Sequence, residues 1–264
     1  MLDARAQNDL RRIVETFEAF SDVQCKPTGN GNTVQFEVEV RGGKVLPDGN
    51  FRSSVDAWYF YAVFEALYRS RDCDAGPLQK TTHLCYRGFR RQEIFPEKGL
   101  KDDAWTEKSV VEGCLQTHRT CGKNCWFDVR ISLAKETSLG SHAARQARAQ
   151  CDVRAPENGL RTRTRRSLLF PSLAPRWRVD FTHVTTQHPP HVSLPVFDTF
   201  EVEFELLPQG DPLPGHAQRE TPRDLVDQAN RLLARVRDAV AETEAEMRNA
   251  IFEQSQRWES VHSF

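Results

Sequence analysis

"FEVEFEL", residues 200–206, alternates three glutamates with apolar side chains: Glu201, Glu203 and Glu205 against Val202, Phe204 and Leu206. Alternation among good β-formers reads as a strand. In a strand, residues i, i+2 and i+4 share a face, so the three carboxylates point one way. Neighbouring carboxylates lie two strand rises apart, about 6.7 Å. At an effective dielectric near 20, each neighbouring pair repels by roughly 2.5 kcal/mol. A solvent face is the plain alternative, but solvent faces usually mix Thr, Lys, Ser and Arg. The pattern calls for something positive opposite it, either basic side chains or a metal ion.

Other segments repeat the theme. "TVQFEVEV" (33–40) puts Glu37 and Glu39 on one face and Phe36, Val38 and Val40 on the other. "CWFDVRISLAKE" (125–136) sets Asp128, Arg130, Ser132 and Glu136 against Val129, Ile131 and Leu133. "LRTRTRRSLLF" inverts the charge, alternating Arg161, Arg163 and Arg165 with threonines. "RWRVDFTHVTT" places Arg176, Arg178, Asp180 and Thr182 opposite Trp177, Val179 and Phe181. Shorter strands are expected in "THLCYRGFRRQEIF" and "WTEKSVVEGCL". Five strands with charge in register on one face are best arranged as an antiparallel barrel with the charges inside. Acidic strands then face basic ones, and the apolar outer faces are covered by helices.

Helices are available for that task. Residues 4–20 carry Leu10, Ile13, Val14, Phe17 and Phe20 at helical spacing. "SSVDAWYFYAVFEALYRS" offers Ser54 as N-cap and a buried stripe of Val55, Trp58, Tyr59, Ala62, Val63 and Leu67. A long helix over 221–257 opens with Thr221 as cap and Pro222 at the first helical position. Its stripe is Leu225, Val226, Leu232, Leu233, Val236 and Val240. Residues 137–158 read as an inserted polar segment, weakly helical at best, and "RGGKVLPDGNF" (41–51) as a loop or hairpin. The whole chain, 1–264, is expected to be one domain.

Composition sets bounds. The net charge of −1 gives no global field for nucleic acid or membrane. Arginines number 28 against eight lysines, a bias toward the side chain that grips phosphate and carboxylate bidentately. No run approaches the roughly 20 apolar residues of a membrane span. The start has no signal-peptide pattern, so the seven cysteines are expected to be reduced intracellular thiols. Cys114, His118, Cys121 and Cys125 could be zinc ligands, but their spacing fits no common zinc module and a plain loop is preferred.

A polar interior with facing carboxylates and arginines suits polyphosphate. Arginines take phosphate oxygens; carboxylates hold a hard divalent cation that bridges to them. The motifs "FEVEV" and "FEVEFEL", with "VRISLAKE", "RTRTRRS" and "WRVDFTHV" between them, resemble the triphosphate tunnel metalloenzymes. Their order is similar to that of the metal-dependent mRNA 5′-triphosphatases of fungi and protozoa, over about residues 34–206. The resemblance implies an α+β fold: an antiparallel eight-stranded barrel with a charged interior, flanked by helices.

It also implies roles. Glu37, Glu39 and Glu205 would bind Mg²⁺ or Mn²⁺. Glu136 would orient the attacking water; Glu203, Arg87 and Lys108 would join it in catalysis. Arg161, Arg163, Arg165, Arg178 and Lys108 would hold the triphosphate, with Glu201 and Asp180 in support. Arg163 departs from a lysine frequent in the family, and Arg90 or Arg91 could take the register of Arg87. The implied reaction removes the γ-phosphate of 5′-triphosphate RNA, the first step of mRNA capping, in the nucleus. Nucleoside triphosphates and tripolyphosphate would be side substrates. A separate guanylyltransferase would act next, since no segment resembles one; oligomeric state is unreadable. Two alternatives stand beside this: an inorganic or thiamine triphosphatase of the same superfamily, and a non-catalytic barrel that binds polyphosphate or RNA.

Overall fold

The computed structural model describes residues 2–20, 31–85, 90–94, 102–119, 127–151, 160–187, 196–208 and 220–261. In chain order these form α1 (Ala4–Ala19), β1 (Thr33–Val45), β2 (Phe51–Arg52), α2 (Ala57–Tyr68), β3 (Asp74–Ala75) and β4 (Gln79–Cys85). They continue with β5 (Arg90–Ile94), β6 (Asp102–His118), β7 (Asp128–Ser138), α3 (Ser141–Cys151), β8 (Leu160–Phe170), β9 (Ala174–Gln187), β10 (Phe197–Leu206) and α4 (Pro222–Val261).

Eight strands close on themselves in the order β1, β10, β9, β8, β4, β5, β6, β7, with β7 returning to β1. Every neighbouring pair is antiparallel. This is the expected barrel, turned inside out relative to an ordinary one. Val38 and Val40, Val129, Ile131 and Leu133, Trp177, Val179 and Phe181, and Val202, Phe204 and Leu206 are buried in one apolar cluster with the helices. Helices α1, α2 and α4 supply the covering side chains, among them Leu10, Ile13, Phe17, Val63, Leu67, Leu225, Leu232 and Val236. The hydrophobic effect therefore works between the barrel's outer face and its helical jacket, which leaves the inner face for polar groups.

Local chemistry sets the helix ends. In α1 the Asp3 carboxylate accepts from the Ala6 amide at 2.8 Å. Before α4, Thr221 Oγ1 accepts from the Asp224 amide while the Asp224 carboxylate accepts from the Thr221 amide. That reciprocal cap precedes Pro222, whose missing N–H needs no partner there. Trp177 is fully buried and donates its indole N–H to the Leu225 carbonyl, locking α4 onto β9.

Several expectations need correction. The cap of α2 is Asp56, which accepts from the Trp58 amide at 2.9 Å, not Ser54. Trp58 is 40% exposed; the buried side chains are Phe60, Val63 and Leu67. The helix is apolar nearly all round, so its sequence gives weak evidence of which face turns inward. The stretch read as a loop or hairpin is a hairpin: β1 continues through Arg41, Gly42 and Gly43 to Val45 and pairs with β2. Gly43 is needed there, because a Cβ would lie 2.3 Å from the Arg52 carbonyl oxygen. Cys114 and His118 belong to β6, not to a loop; Cys121 and Cys125 lie outside the described residues. His118 Nε2 faces Asp9 of α1 at 3.3 Å, a packing role at the jacket. Within 137–158, Thr137 and Ser138 end β7 and the eleven-residue helix α3 follows.

Candidate active site

The barrel encloses a cavity of about 210 Å³, room for a polyphosphate and its hydration rather than one trapped water. Its wall is built strand by strand. Strand β1 contributes Glu37, Glu39 and Arg41; β6 Lys108; β7 Glu136; β8 Arg161, Arg163 and Arg165; β10 Glu201, Glu203 and Glu205. Strands β4 and β5 add Gln79, Thr81 and His83, and Arg90 and Gln92. Among the described residues the lining thus holds six carboxylates and six cations. The strand period of two aims each set inward.

Register decides which charge meets which. Across β1 and β10, Arg41 stands opposite Glu203, whereas Glu39 stands opposite Glu205. Arg41 reaches Glu203 Oε1 at 2.8 Å and Glu39 Oε2 at 3.0 Å. Lys108 Nζ lies 2.7 Å from Glu37, 2.5 Å from Glu39 and 3.8 Å from Glu136. On the basic wall, Arg161 pairs with Glu201 at 3.0 Å. Arg163 makes looser contacts with Glu201 at 3.4 Å and Glu203 at 3.8 Å. Arg165 is gripped by Asp180 at 3.0 Å, Glu203 at 3.2 Å and the Thr182 hydroxyl at 3.2 Å. Fully buried Asp180 also holds Arg178 at 2.9 Å and accepts from the Ser167 hydroxyl at 2.6 Å. Arg178 in turn binds Glu205 at 2.6 Å.

The protonation pattern follows from these neighbours. Burial alone would push every carboxyl up. For Glu39 the Arg41 guanidinium and Lys108 ammonium overcome burial and hold it well below the ordinary range. For Glu203, Arg41, Arg163 and Arg165 do the same. Glu205 goes the other way, to about 7: burial is reinforced by Glu37, Asp180 and Glu39 and only partly offset by Arg178. Glu37 is also raised, by burial and by Glu136 and Glu39, although Lys108 touches it. One ammonium shared among three carboxylates cannot neutralise them all. His83, buried and ringed by Arg90, Arg163, Arg161 and Arg165, is held down to about 3 and stays neutral.

The structure therefore gathers Glu37, Glu39, Lys108, Glu136, Arg161, Arg163, Arg165, Glu201, Glu203 and Glu205 around one cavity, with Asp180 and Arg178 behind the wall. Arg87 lies outside the described residues; Arg90, its alternative, is on the cavity wall. Arg41 is a site residue the sequence reading did not reach, although Glu37, Glu39 and Arg41 continue one alternation. Arg176 shares the inward parity of Arg178 but serves elsewhere, bonding the Leu207 carbonyl, Glu18 of α1 and Glu220.

Among the described residues no three acidic, histidine or cysteine side chains are placed together to hold a metal ion. Lys108 stands between Glu37 and Glu39, and Arg178 sits on Glu205. The donor set still suits a hard divalent cation, being all carboxylate oxygen. A positive charge already occupies the place between Glu37 and Glu39, and the raised Glu37 and Glu205 mark where negative charge is under-compensated.

No protein-family model matches the chain. No characterised protein matches it by sequence. Among solved structures it is similar to the S. pombe Pct1 RNA triphosphatase, with a TM-score of 0.54 and 15% identity over 94% of this chain and 93% of that one. The RNA triphosphatase domain of a trifunctional mimivirus mRNA capping enzyme aligns at a TM-score of 0.43 and 13% identity, over 91% of this chain and 100% of that one. The closed eight-stranded barrel with its helical jacket thus shares its fold with the S. pombe Pct1 RNA triphosphatase.

Proposed function

We propose that the chain removes the γ-phosphate from the 5′-triphosphate end of RNA, leaving a diphosphate end, and does so with a divalent cation. One observation carries this: a closed barrel whose lumen sets a carboxylate wall against an arginine ladder. An anion-binding barrel needs the arginines but not the glutamates, which would repel the ligand. A cation between carboxylate and phosphate gives both walls a use.

Glu37, Glu39 and Glu205 would hold Mg²⁺ or Mn²⁺, which when bound supplies Lewis-acid stabilisation of phosphate charge. The rest of the chemistry belongs to the chain. Arg161, Arg163 and Arg165 exchange part of their contact with Glu201 and Glu203 for phosphate oxygens. Asp180 keeps Arg165 extended toward the lumen and holds Arg178 behind Glu205. Lys108 moves from the carboxylates toward the γ-phosphate. Glu136 orients a water in line with the γ-phosphorus and takes its proton as the new P–O bond forms. The bond to the β–γ bridging oxygen breaks, and the electron pair stays on the diphosphate end. Capping of nascent RNA would place the protein in the nucleus, with a guanylyltransferase consuming its product. Nucleoside triphosphates and tripolyphosphate are expected side substrates.

The test is phosphate release from γ-labelled 5′-triphosphate RNA, with and without Mg²⁺ or Mn²⁺. We expect metal-dependent release that leaves diphosphate-ended RNA. Glu37→Gln and Glu205→Gln should each lower turnover by at least about a hundredfold, the upper end of what support groups around a metal cost, while the protein stays folded. Release from tripolyphosphate alone would move the chain to another tunnel activity, and no release from any substrate would leave only a binding barrel.

A further inference from the structure

His83 stands among the arginines of the lumen without a charge of its own. It belongs to β4, is 5% exposed and lines the cavity. The register sets it directly opposite Arg161 of β8 on one side and Gln92 of β5 on the other. Thr81, two residues back on the same face, stands opposite Arg163. Among the described residues the imidazole makes one hydrogen bond, between Nε2 and the Thr81 hydroxyl at 3.0 Å, and Nδ1 has no partner. An unpartnered buried nitrogen destabilises the fold, so packing alone does not account for a histidine here.

The charges nearest to it are of one sign. Strand β8 brings Arg161, Arg163 and Arg165, and β5 brings Arg90. Carboxylates meet this group through the guanidiniums: Glu201 holds Arg161 and Arg163, and Glu203 holds Arg163 and Arg165. The remaining strands give the lumen Glu37, Glu39, Arg41, Lys108, Glu136 and Glu205. Burial and the four guanidiniums together hold the imidazole down to about 3. A phosphate taken by Arg161 or Arg163 would set negative charge beside the ring. At an effective dielectric near 20, a unit negative charge 4 Å away raises a titration by roughly three pH units. One such charge brings His83 from about 3 to roughly 6.

We propose that His83 is a proton-carrying member of the triphosphate site: it is neutral without substrate and takes one proton from solvent when a triphosphate end binds the arginine wall. This rests on reading the lumen as the triphosphate site. In the imidazolium both ring nitrogens donate, and the wall gains a cation where phosphate charge lies. The proton returns to solvent when the product leaves. Because the bound state holds more protons, affinity rises as pH falls through about 6.

The experiment uses the full chain, Mg²⁺ and an ATP analogue whose β–γ bridging oxygen is replaced by methylene, which binds without being cleaved. Histidine side-chain ¹⁵N spectra follow the imidazole between about pH 5 and 8, with His83 assigned by its absence in His83→Gln, or in His83→Asn if the first variant does not fold. His83 should stay neutral throughout without the analogue and titrate near pH 6 with it. Calorimetry in buffers of different ionisation enthalpy should show the wild type taking up roughly 0.7 proton more than the variant at pH 5.5. The Kd ratio of variant to wild type should fall about fourfold from pH 5.5 to 7.5, as linkage requires for a titration moved to about 6. A ring that stays neutral with the analogue bound at pH 5, or is already charged without it, overturns the proposal and leaves the hydrolase. Equal proton uptake in wild type and variant does the same. Analogue binding with the proton taken up, but no phosphate release from 5′-triphosphate RNA, keeps the role of His83 and removes the hydrolase. No binding of the analogue and no phosphate release removes both readings.

Discussion

Glu203 and Glu205 stand two residues apart on the same face of β10, and both are buried. Their carboxyls are nevertheless driven in opposite directions, Glu203 down and Glu205 up to about 7. Burial cannot be the difference, because it pushes both up. The register is. Glu203 stands opposite Arg41 on β1 and also touches Arg163 and Arg165. Glu205 stands opposite Glu39 and has Arg178 as its cation. Like charges directly across two strands destabilise the pair. One glutamate thus belongs to a satisfied ionic lattice and the other to a site short of positive charge. A lumen lined by equal numbers of both signs still divides into a half whose charges are paired and a half short of positive charge.

The largest consequence concerns stability. Removing the Glu203 charge leaves three guanidiniums facing one another in a buried wall. Breaking one partner of a buried ionic network typically costs about 3–5 kcal/mol, and Glu203→Gln should fall in that range in urea unfolding without added metal. Glu205→Gln removes a charge that is already poorly compensated, and Arg178 retains Asp180 at 2.9 Å. It should cost about 1 kcal/mol or less. Equal losses for the two variants would break the division.

How far the sequence foretold this division depends on the kind of signal. Strands β8 and β10 are legible because their alternation runs without Gly or Pro through the inward residues. Arg41 is not, because the Gly pair after it looks like the end of a strand. In the structure those glycines permit close approach in the β1–β2 hairpin, and Arg41 is still inside the barrel. Strand β6 is obscured by its irregular stretch between Val110 and Leu115, where Gly113 takes φ of 71°. Parity changes meaning across such a break, so Cys114 and His118 lose their strand context. The neutral wall residues Gln79, Thr81, His83 and Gln92 carry no charge pattern at all. Only the closed topology shows that they face the same space as the arginines.

The next effect is in the pH dependence, and its sign separates the two glutamates. An ordinary Glu in the unfolded chain titrates near 4.3, while Glu205 in the fold sits at about 7. The folded state therefore holds the proton more tightly. Its contribution is fully present below about pH 4.3 and declines as pH rises toward 7, by about 4 kcal/mol at most. The stability of wild type minus that of Glu205→Gln should decline over this window. Glu203, whose folded carboxyl is lowered, should give a difference that weakens as pH falls instead. Millimolar Mg²⁺ or Mn²⁺ should flatten the Glu205 decline, because a coordinating carboxylate is already ionised. A decline that persists unchanged with metal would remove Glu205 from the proposed cation site.

The smallest effect tests the comparison from the arginine side. Arg165 is held by Asp180, Glu203 and Thr182. Arg163, one step along the same face, has only the two long contacts to Glu201 and Glu203, and its Nε meets no hydrogen-bond partner among the described residues. Its guanidinium is driven below its ordinary range by burial and by Arg165 and Arg90, against the pull of Glu203 and Glu201. Arg163 is therefore the member of the ladder held by the longest contacts. Lysine there keeps the charge and loses the fork. Arg163→Lys should change unfolding free energy by about 1 kcal/mol or less, the scale of one net hydrogen bond. Arg165→Lys should cost about 3 kcal/mol, because a buried network loses its geometry. On triphosphate substrates Arg163→Lys should raise KM by only a few-fold while kcat holds, as expected if the residue contributes charge rather than fixed geometry. Equal losses of stability in the two lysine variants would mean that the ladder is bound uniformly, and that no rung is kept in reserve for the substrate.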